Sequence, residues 1–134
     1  MENKLPSVYQ DVIALSRYAR YLEKENRRET WEETVDRMVN YLQSKNKGLD
    51  KEFKEIRKAV LNLEIMPSMR LMMSAGDACE RDNIAAYNCS YLAMNNKRAF
   101  SECLYILMNG TGVGFSCERQ EISKLPELPK DFSD

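Results

Sequence analysis

Four thiols are the groups in this chain best suited to chemistry: Cys79, Cys89, Cys103 and Cys117. Their spacing is too wide for a Cys-x-x-Cys zinc or thioredoxin-like motif. The chain contains no histidine, which removes Ser-His-Asp and Cys-His nucleophile schemes and most zinc sites. Any chemistry must rest on thiols, on carboxylates, or on groups supplied from elsewhere. A second feature is the run Gly110-Thr111-Gly112-Val113-Gly114-Phe115. A dinucleotide fingerprint places G-x-G-x-x-G between a strand and the helix that follows it. Here the glycines follow a predicted helix and lead into a predicted strand, and the third glycine comes one position early. A Rossmann site is therefore not expected. Alternating glycines suit a tight turn between closely packed elements. They also suit a backbone kept bare so that a ligand can lie against it.

The elements that must position these groups read as helical in the first half and mixed in the second. Thr30-Trp31-Glu32-Glu33 is a capping-box pattern and predicts a helix start. Trp31, Val35, Met38, Val39 and Leu42 then share one face, and Asn46 to Gly48 supplies the stop. A second helix is predicted from Asp50, with Phe53, Ile56, Val60 and Leu63 as its buried stripe and Pro67 beyond its end. From Ile84 to Met94, Tyr87, Cys89, Tyr91 and Ala93 alternate with Asn88, Ser90 and Leu92, which predicts a strand. Asn95 and Asn96 can cap a further helix, whose stripe is Phe100, Cys103, Leu104 and Leu107 and whose end is Asn109-Gly110. On this face Cys103 is a packing residue by default. The Pro126 and Pro129 stretch that follows reads as a polar linker or cut end.

Composition bounds the rest. A chain of 134 residues holds one domain or a piece of a larger protein. The net charge is −1, from 20 basic and 21 acidic residues mixed along the chain, so no basic field points to nucleic acid. No apolar run approaches the ~20 residues that cross a bilayer, and Met1 to Pro6 lacks a signal-peptide core. A cytoplasmic chain without nucleic-acid or membrane partners is expected, and there structural disulfides are disfavoured.

Three segments in order, Met66-Pro67-Ser68-Met69-Arg70, then Asn88-Cys89, then Gly110 through Phe115 to Ser116, resemble the start of the catalytic domain of ribonucleotide reductases. The stretches Tyr18-Ala19-Arg20-Tyr21 and Trp31-Glu32-Glu33-Thr34-Val35 resemble the same enzymes. The resemblance runs from about Ser16 to Pro126. It implies an α+β fragment in three parts: an N-terminal helical region at 1–66, the start of the catalytic barrel at 67–125, and a tail at 126–134. The barrel part would contribute the first strand, helix and glycine turn of a ten-stranded α/β barrel.

The resemblance also implies roles. Cys89, after Asn88, matches one of the two thiols that reduce the ribose and end as a disulfide. Thr111 and Gly112 match the turn that lies along the substrate, through backbone or hydroxyl contacts, and Asn88 lies beside them. Ser68 is a candidate partner for substrate phosphate or ribose. Arg70 is a weaker one, since an arginine there can equally pin the loop. Replacing a ribose 2′-hydroxyl by hydrogen takes two electrons, which a cysteine pair delivers as it collapses to a disulfide. The implied substrate is a ribonucleoside di- or triphosphate, and the implied external reductant a thiol protein such as thioredoxin or glutaredoxin. The glycine turn with Val and Phe, and the short N-terminus, resemble the adenosylcobalamin-dependent type. The alternative is a radical supplied by a di-iron or dimanganese small subunit. No residue here is recognisable as a cofactor ligand.

Missing from the pattern are the cysteine that becomes the thiyl radical, the second reducing cysteine, and most of the barrel. The chain is expected to be inactive alone and to need a complementary C-terminal reductase fragment. An N-terminal ATP-binding regulatory cone is not expected either. Two alternatives outside redox chemistry stand beside this reading. One is a helical interaction domain using Met66, Met69, Met72 and Met73 as an adaptable surface, against the plainer role of those methionines in packing. The other is a regulatory nucleotide-binding module.

Overall fold

The computed structural model describes residues 5–127. Contacts divide the chain into two compact units, the first closing at Ala86 and the second opening at Tyr87. Each combines helices with a two-stranded sheet, which makes the architecture α+β. The segment from Pro67 to Ala86 folds within the first unit. Residues 128–134 of the expected tail, Pro129 among them, lie outside the described residues.

The first unit opens with α1 (Val8–Ile13), which the Ser7 hydroxyl caps by accepting from the Gln10 N–H. A π-helical turn (Ala14–Tyr18) follows, and then an antiparallel ribbon of β1 (Tyr21–Leu22) and β2 (Arg27–Arg28). These pieces are too short to carry a periodic signal. The next helix, α2 (Trp31–Lys45), starts where the capping box predicts. The Thr30 hydroxyl accepts from the Glu33 N–H at 3.2 Å, and the Glu33 carboxylate accepts from the Thr30 N–H at 2.7 Å. Arg27 adds two bonds to the same carboxylate, at 2.7 and 2.8 Å.

The Arg27 guanidinium, with the Thr30 N–H behind it, holds the Glu33 carboxyl at about 2, down from the ordinary 4.5. A carboxyl depressed on folding stabilises the folded state fully above its ordinary value, and the contribution is lost as pH falls toward the folded one. Glu33→Gln is therefore expected to lower the thermal midpoint at pH 7, and to have a much smaller effect near pH 2, where the wild-type carboxyl is already partly protonated. The pair is more than a third exposed, so the shift at pH 7 is a few degrees at most. Melting curves of both proteins at the two pH values check this. Curves equally far apart at both pH values would remove the carboxylate from the account.

The first core is built by Val35, Met38 and Val39 of α2, Phe53 and Val60 of α3 (Asp50–Leu61), and Met72 of α4 (Met69–Ser74). Two members of the expected α3 stripe depart from it. Ile56 is exposed, and Leu63 lies beyond the helix with φ 60°. The end is a Schellman turn, in which the Leu63 N–H reaches the Val60 carbonyl at 3.1 Å and the Glu64 N–H the Ala59 carbonyl at 2.9 Å. A left-handed leucine is disfavoured by roughly 1–2 kcal/mol. Packing of Leu63 against the core offsets that cost. The methionines divide: Met72 is fully buried and Met69 packs on the core, while Met66 and Met73 are exposed.

A buried charge cluster ties the first unit together. Glu29, 5% exposed, accepts from Arg37 Nε at 2.9 Å, from the Arg20 N–H at 3.0 Å and from the Thr34 hydroxyl at 3.3 Å. Arg37 also donates to the carbonyls of Met72, Ala75 and Tyr18, and Arg20 to those of Met73, Ser74 and Ala75. The carbonyls at the C-terminal end of α4 are thus satisfied by arginines, as helix C-termini favour.

After α5 (Asp77–Arg81), Asp82 starts a 3₁₀ turn (Asn83–Ala86), its carboxylate accepting from the Ile84 N–H at 2.9 Å. This turn takes up the first residues of the predicted strand, because an aspartate bonding the backbone two residues on stabilises a turn over a strand. In the second unit, β3 covers only Cys89–Ala93. It is followed by α6 (Lys97–Met108), capped by Asn96 as expected, then β4 (Gly112–Ser116) and the short α7 (Arg119–Ile122). Strands β3 and β4 are parallel, so β3-α6-β4 is a β-α-β unit. The helix buries Ala99 and Cys103 with Met94, while the stripe members Phe100, Leu104 and Leu107 are exposed. Small side chains let the helix lie close to the strands, which turns the bulky ones outward.

Candidate functional site

Four of the residues singled out by sequence converge in the second unit: Asn88, Cys89, Thr111 and Gly112. Parallel pairing sets Cys89 beside Gly112, Ser90 beside Val113, and Tyr91 beside Gly114. Successive residues of a strand face opposite sides. Ser90 and Leu92 are half-buried, and Leu92 and Val113 pack on the small core. Cys89, Tyr91, Gly112 and Gly114 are exposed, and the alternation puts them together on the other face. The result is a thiol standing beside a strip of bare backbone.

Neither glycine of that strip is demanded by the chain itself. Among the glycines only Gly48, Gly76 and Gly110 have positive φ. A Cβ added at Gly112 would come no closer than 3.5 Å to the Asn88 carbonyl, and one at Gly114 no closer than 3.7 Å to the Ser90 carbonyl. Both are ordinary contacts. Glycine within a strand commonly marks close approach of a ligand or another backbone. Gly110, by contrast, meets a local need: with φ 81° it ends α6 in a Schellman turn. Its N–H reaches the Leu107 carbonyl at 2.9 Å, and the Thr111 N–H reaches the Ile106 carbonyl at 3.3 Å.

Thr111 and Asn88 sit at the start of the two strands. The Thr111 side chain is buried, and its hydroxyl donates to the Tyr87 carbonyl at 2.9 Å. The Gly112 N–H donates to the Asn88 carbonyl at 2.9 Å, and the Asn88 side chain is exposed. At the other end of the pair, Asn95 donates to Glu121 of α7 at 3.2 Å. Lys124, then Asn95, hold the Glu121 carboxyl below its ordinary value.

The remaining cysteines are placed differently. Cys103 is buried in the small core, as its helical stripe predicts, and Cys79 is buried in the first unit with its thiol 3.4 Å from the Ser74 hydroxyl. Cys117 is exposed, but it lies just past the far end of the ladder from Cys89. Five residue steps at ~3.3 Å each put roughly 16 Å between them, beyond the ~7 Å a disulfide spans. Within the second unit Cys89 therefore has no partner thiol at bonding distance. Ser68, in the first unit, is exposed and caps α4 by accepting from the Leu71 N–H at 3.4 Å. Arg70 pins its loop by donating from Nε to the Ala85 carbonyl at 3.0 Å.

Glu29 and Arg37 escaped sequence reasoning, as did the place of Arg20 beside them. Arg37 falls one helical turn from Thr34, and nothing in its spacing distinguishes it from a solvated arginine. No group of three or more potential metal ligands occurs among the described residues, and no described helix is long and apolar enough to cross a membrane.

No family model matches the chain. An adenosylcobalamin-dependent ribonucleoside-triphosphate reductase of Lactobacillus leichmannii is 32% identical over 149 aligned positions, covering 87% of this chain and 20% of the relative. Those of Lacticaseibacillus paracasei and Lactobacillus gasseri are 30% and 28% identical, each over 83% of this chain and 19% of the relative. The crystal structure of a B12-dependent (class II) ribonucleotide reductase superposes with a TM-score of 0.75 at 28% identity, covering 86% of this chain and 21% of that one. The chain is thus related to the ribonucleotide reductases. Within them it is similar to the N-terminal part of the adenosylcobalamin-dependent, class II enzymes. It spans about a fifth of the length of the curated relatives it matches.

Proposed function

We propose that the chain forms the N-terminal part of a ribonucleotide reductase that replaces the ribose 2′-hydroxyl of a ribonucleotide by hydrogen, with Cys89 as one of the two reducing thiols. The observation that carries this reading is the exposed Cys89 beside the bare, unforced glycines Gly112 and Gly114. The net reaction balances as two thiols and a C–OH giving a disulfide, a C–H and water. The second thiol and the thiyl radical that opens the ribose to reduction belong to the remainder of the enzyme. A dithiol protein such as thioredoxin then reduces the disulfide.

In this reading β3, α6 and β4 open the ten-stranded barrel. Further strands pair with the free edges, and other barrel elements cover the exposed face of α6. Exposed apolar surface and unpaired strand edges both call for such cover. Asn88 and Gly112 line the substrate; Thr111, buried with its hydroxyl on the Tyr87 carbonyl, shapes the turn from behind and does not touch the substrate. Ser68 contributes its hydroxyl to phosphate or ribose. The substrate is a ribonucleoside triphosphate or diphosphate.

The related enzymes depend on adenosylcobalamin, and the same cofactor is proposed for the enzyme to which this chain contributes. The described residues do not fit it. The chain has no histidine, and the hollows beside Trp31 and Met69 and beside Val12 and Leu15 hold about 220 and 360 Å³, below or at the low end of the ~300–1,000 Å³ usual even for drug-sized ligands. The cofactor is accordingly assigned to the remainder of the enzyme, and no step here runs through it.

Gly112→Val tests the glycine strip. The chain has room for a Cβ at this position, so folding should survive. Substrate lying on the strip would meet the added methyls, and binding should weaken about 10- to 100-fold, corresponding to roughly 1–3 kcal/mol of overpacking. Nucleotide binding to the assembled enzyme measures it. Unchanged affinity would reduce the strip to a packing feature.

A further inference from the structure

Thr111 is 1% exposed, and a hydroxyl so enclosed is costly unless it is bonded. Its donor meets the Tyr87 carbonyl at 2.9 Å. The next residue, Gly112, donates its N–H to the Asn88 carbonyl, also at 2.9 Å. Consecutive residues therefore grip the two carbonyls that immediately precede Cys89. The Tyr87 carbonyl lies before the ladder, which begins with Cys89 beside Gly112, so strand pairing alone does not hold it. Thr111 is itself fixed to the end of α6 through its N–H and the Ile106 carbonyl. A chain of bonds thus runs from the helix end through Thr111 to the residues that set Cys89 over the glycine strip. Packing does not explain the residue type, because valine fills the same space and has a good strand propensity.

From this we infer that Thr111 is a positioning residue for Cys89: its buried hydroxyl clamps the Tyr87 carbonyl and so fixes where the thiol stands relative to the bare backbone at Gly112. The inference rests on the reading of Cys89 as a reducing thiol and adds to it a residue that acts without touching substrate.

The test compares Thr111→Val, which keeps the shape without the hydroxyl, with Thr111→Ser, which keeps the hydroxyl without the methyl. Both are made in the complete reductase assembled with this chain, with Cys89→Ser as reference. Misplacement of a reacting group by about 1 Å costs on the order of 10²-fold. Thr111→Val is therefore expected to lower kcat by roughly 10- to 100-fold with KM nearly unchanged, and Thr111→Ser to stay near wild type in kcat despite a lower melting temperature. A packing role predicts the reverse order. If the valine variant folds poorly, Thr111→Ala replaces it in the same comparison with serine. Wild-type kcat in the valine or alanine variant, or equal loss in the serine variant, overturns the inference. If Cys89→Ser itself keeps turning over, the reading of the thiol fails first, and the clamp then has no catalytic group to position.

Discussion

Cys89→Ser is expected to abolish multiple turnover in a reductase that contains this chain, by on the order of 10⁴-fold or more, the range seen when a covalently participating group is removed. Serine matches cysteine in size but neither forms a disulfide nor releases electrons. Cys89 is exposed and lies beside Gly112 and Asn88, so the substitution disturbs no core. Assembly and substrate binding should therefore be nearly unchanged. The comparison is Cys103→Ser, which buries a hydroxyl in the small core and should cost about 1–3 kcal/mol of stability while leaving chemistry intact. Loss of activity alone does not identify a reducing thiol, so the redox state is measured as well. After one turnover without external reductant, thiol mapping should find Cys89 joined to a cysteine outside the second unit, because Cys117 stands too far along the ladder and Cys103 is buried on the opposite side. If deoxynucleotide forms while Cys89 remains a free thiol, the chain contributes scaffold and no electrons.

The second large effect concerns stability. Glu29→Ala removes the carboxylate that answers Arg37, and leaves a guanidinium that is 16% exposed without its counter-charge. Breaking a buried ion pair from one side costs roughly 3–5 kcal/mol, a large share of the ~5–15 kcal/mol that holds a typical domain. The first unit is expected to melt far below wild type or not to fold at physiological temperature. Arg37→Met should be at least as damaging, because Arg37 also serves the carbonyls of Met72, Ala75 and Tyr18, which methionine cannot satisfy. Replacing both charges by apolar residues is therefore not expected to rescue the fold. Denaturant titrations of the three variants measure these losses. A cost below about 1 kcal/mol for Glu29→Ala would place the pair among solvated surface bridges.

Much of the local structure was legible in the sequence, because it depends on neighbours in the chain. The capping box at Thr30, the Asn96 cap and the Asn109-Gly110 stop all occur where predicted. Each is a bond between groups a few residues apart. The order of helix, glycines and strand was readable too, and it was enough to set aside a dinucleotide fold. A resemblance to ribonucleotide reductases was legible in three short segments, and reductases of that name are similar to the chain over most of its length.

What the tertiary structure decided was which way each element faces and what lies beside it. Hydrophobic spacing gave α6 a stripe through Phe100, Cys103, Leu104 and Leu107, but of these only Cys103 is buried, beside Ala99, because close approach of helix and sheet favours small side chains. Periodicity extended the strand back to Ile84, but the Asp82 carboxylate drew Ile84 into a turn. No spacing rule revealed that Glu29 and Arg37 are buried together, since charge in a sequence reads as surface until a partner many residues away encloses it. The sequence alone marked Cys89 and the glycines as worth asking about. Only the parallel pairing of β3 with β4 set the thiol next to Gly112 and turned the Thr111 hydroxyl inward, because register joins residues that the chain itself keeps 23 positions apart.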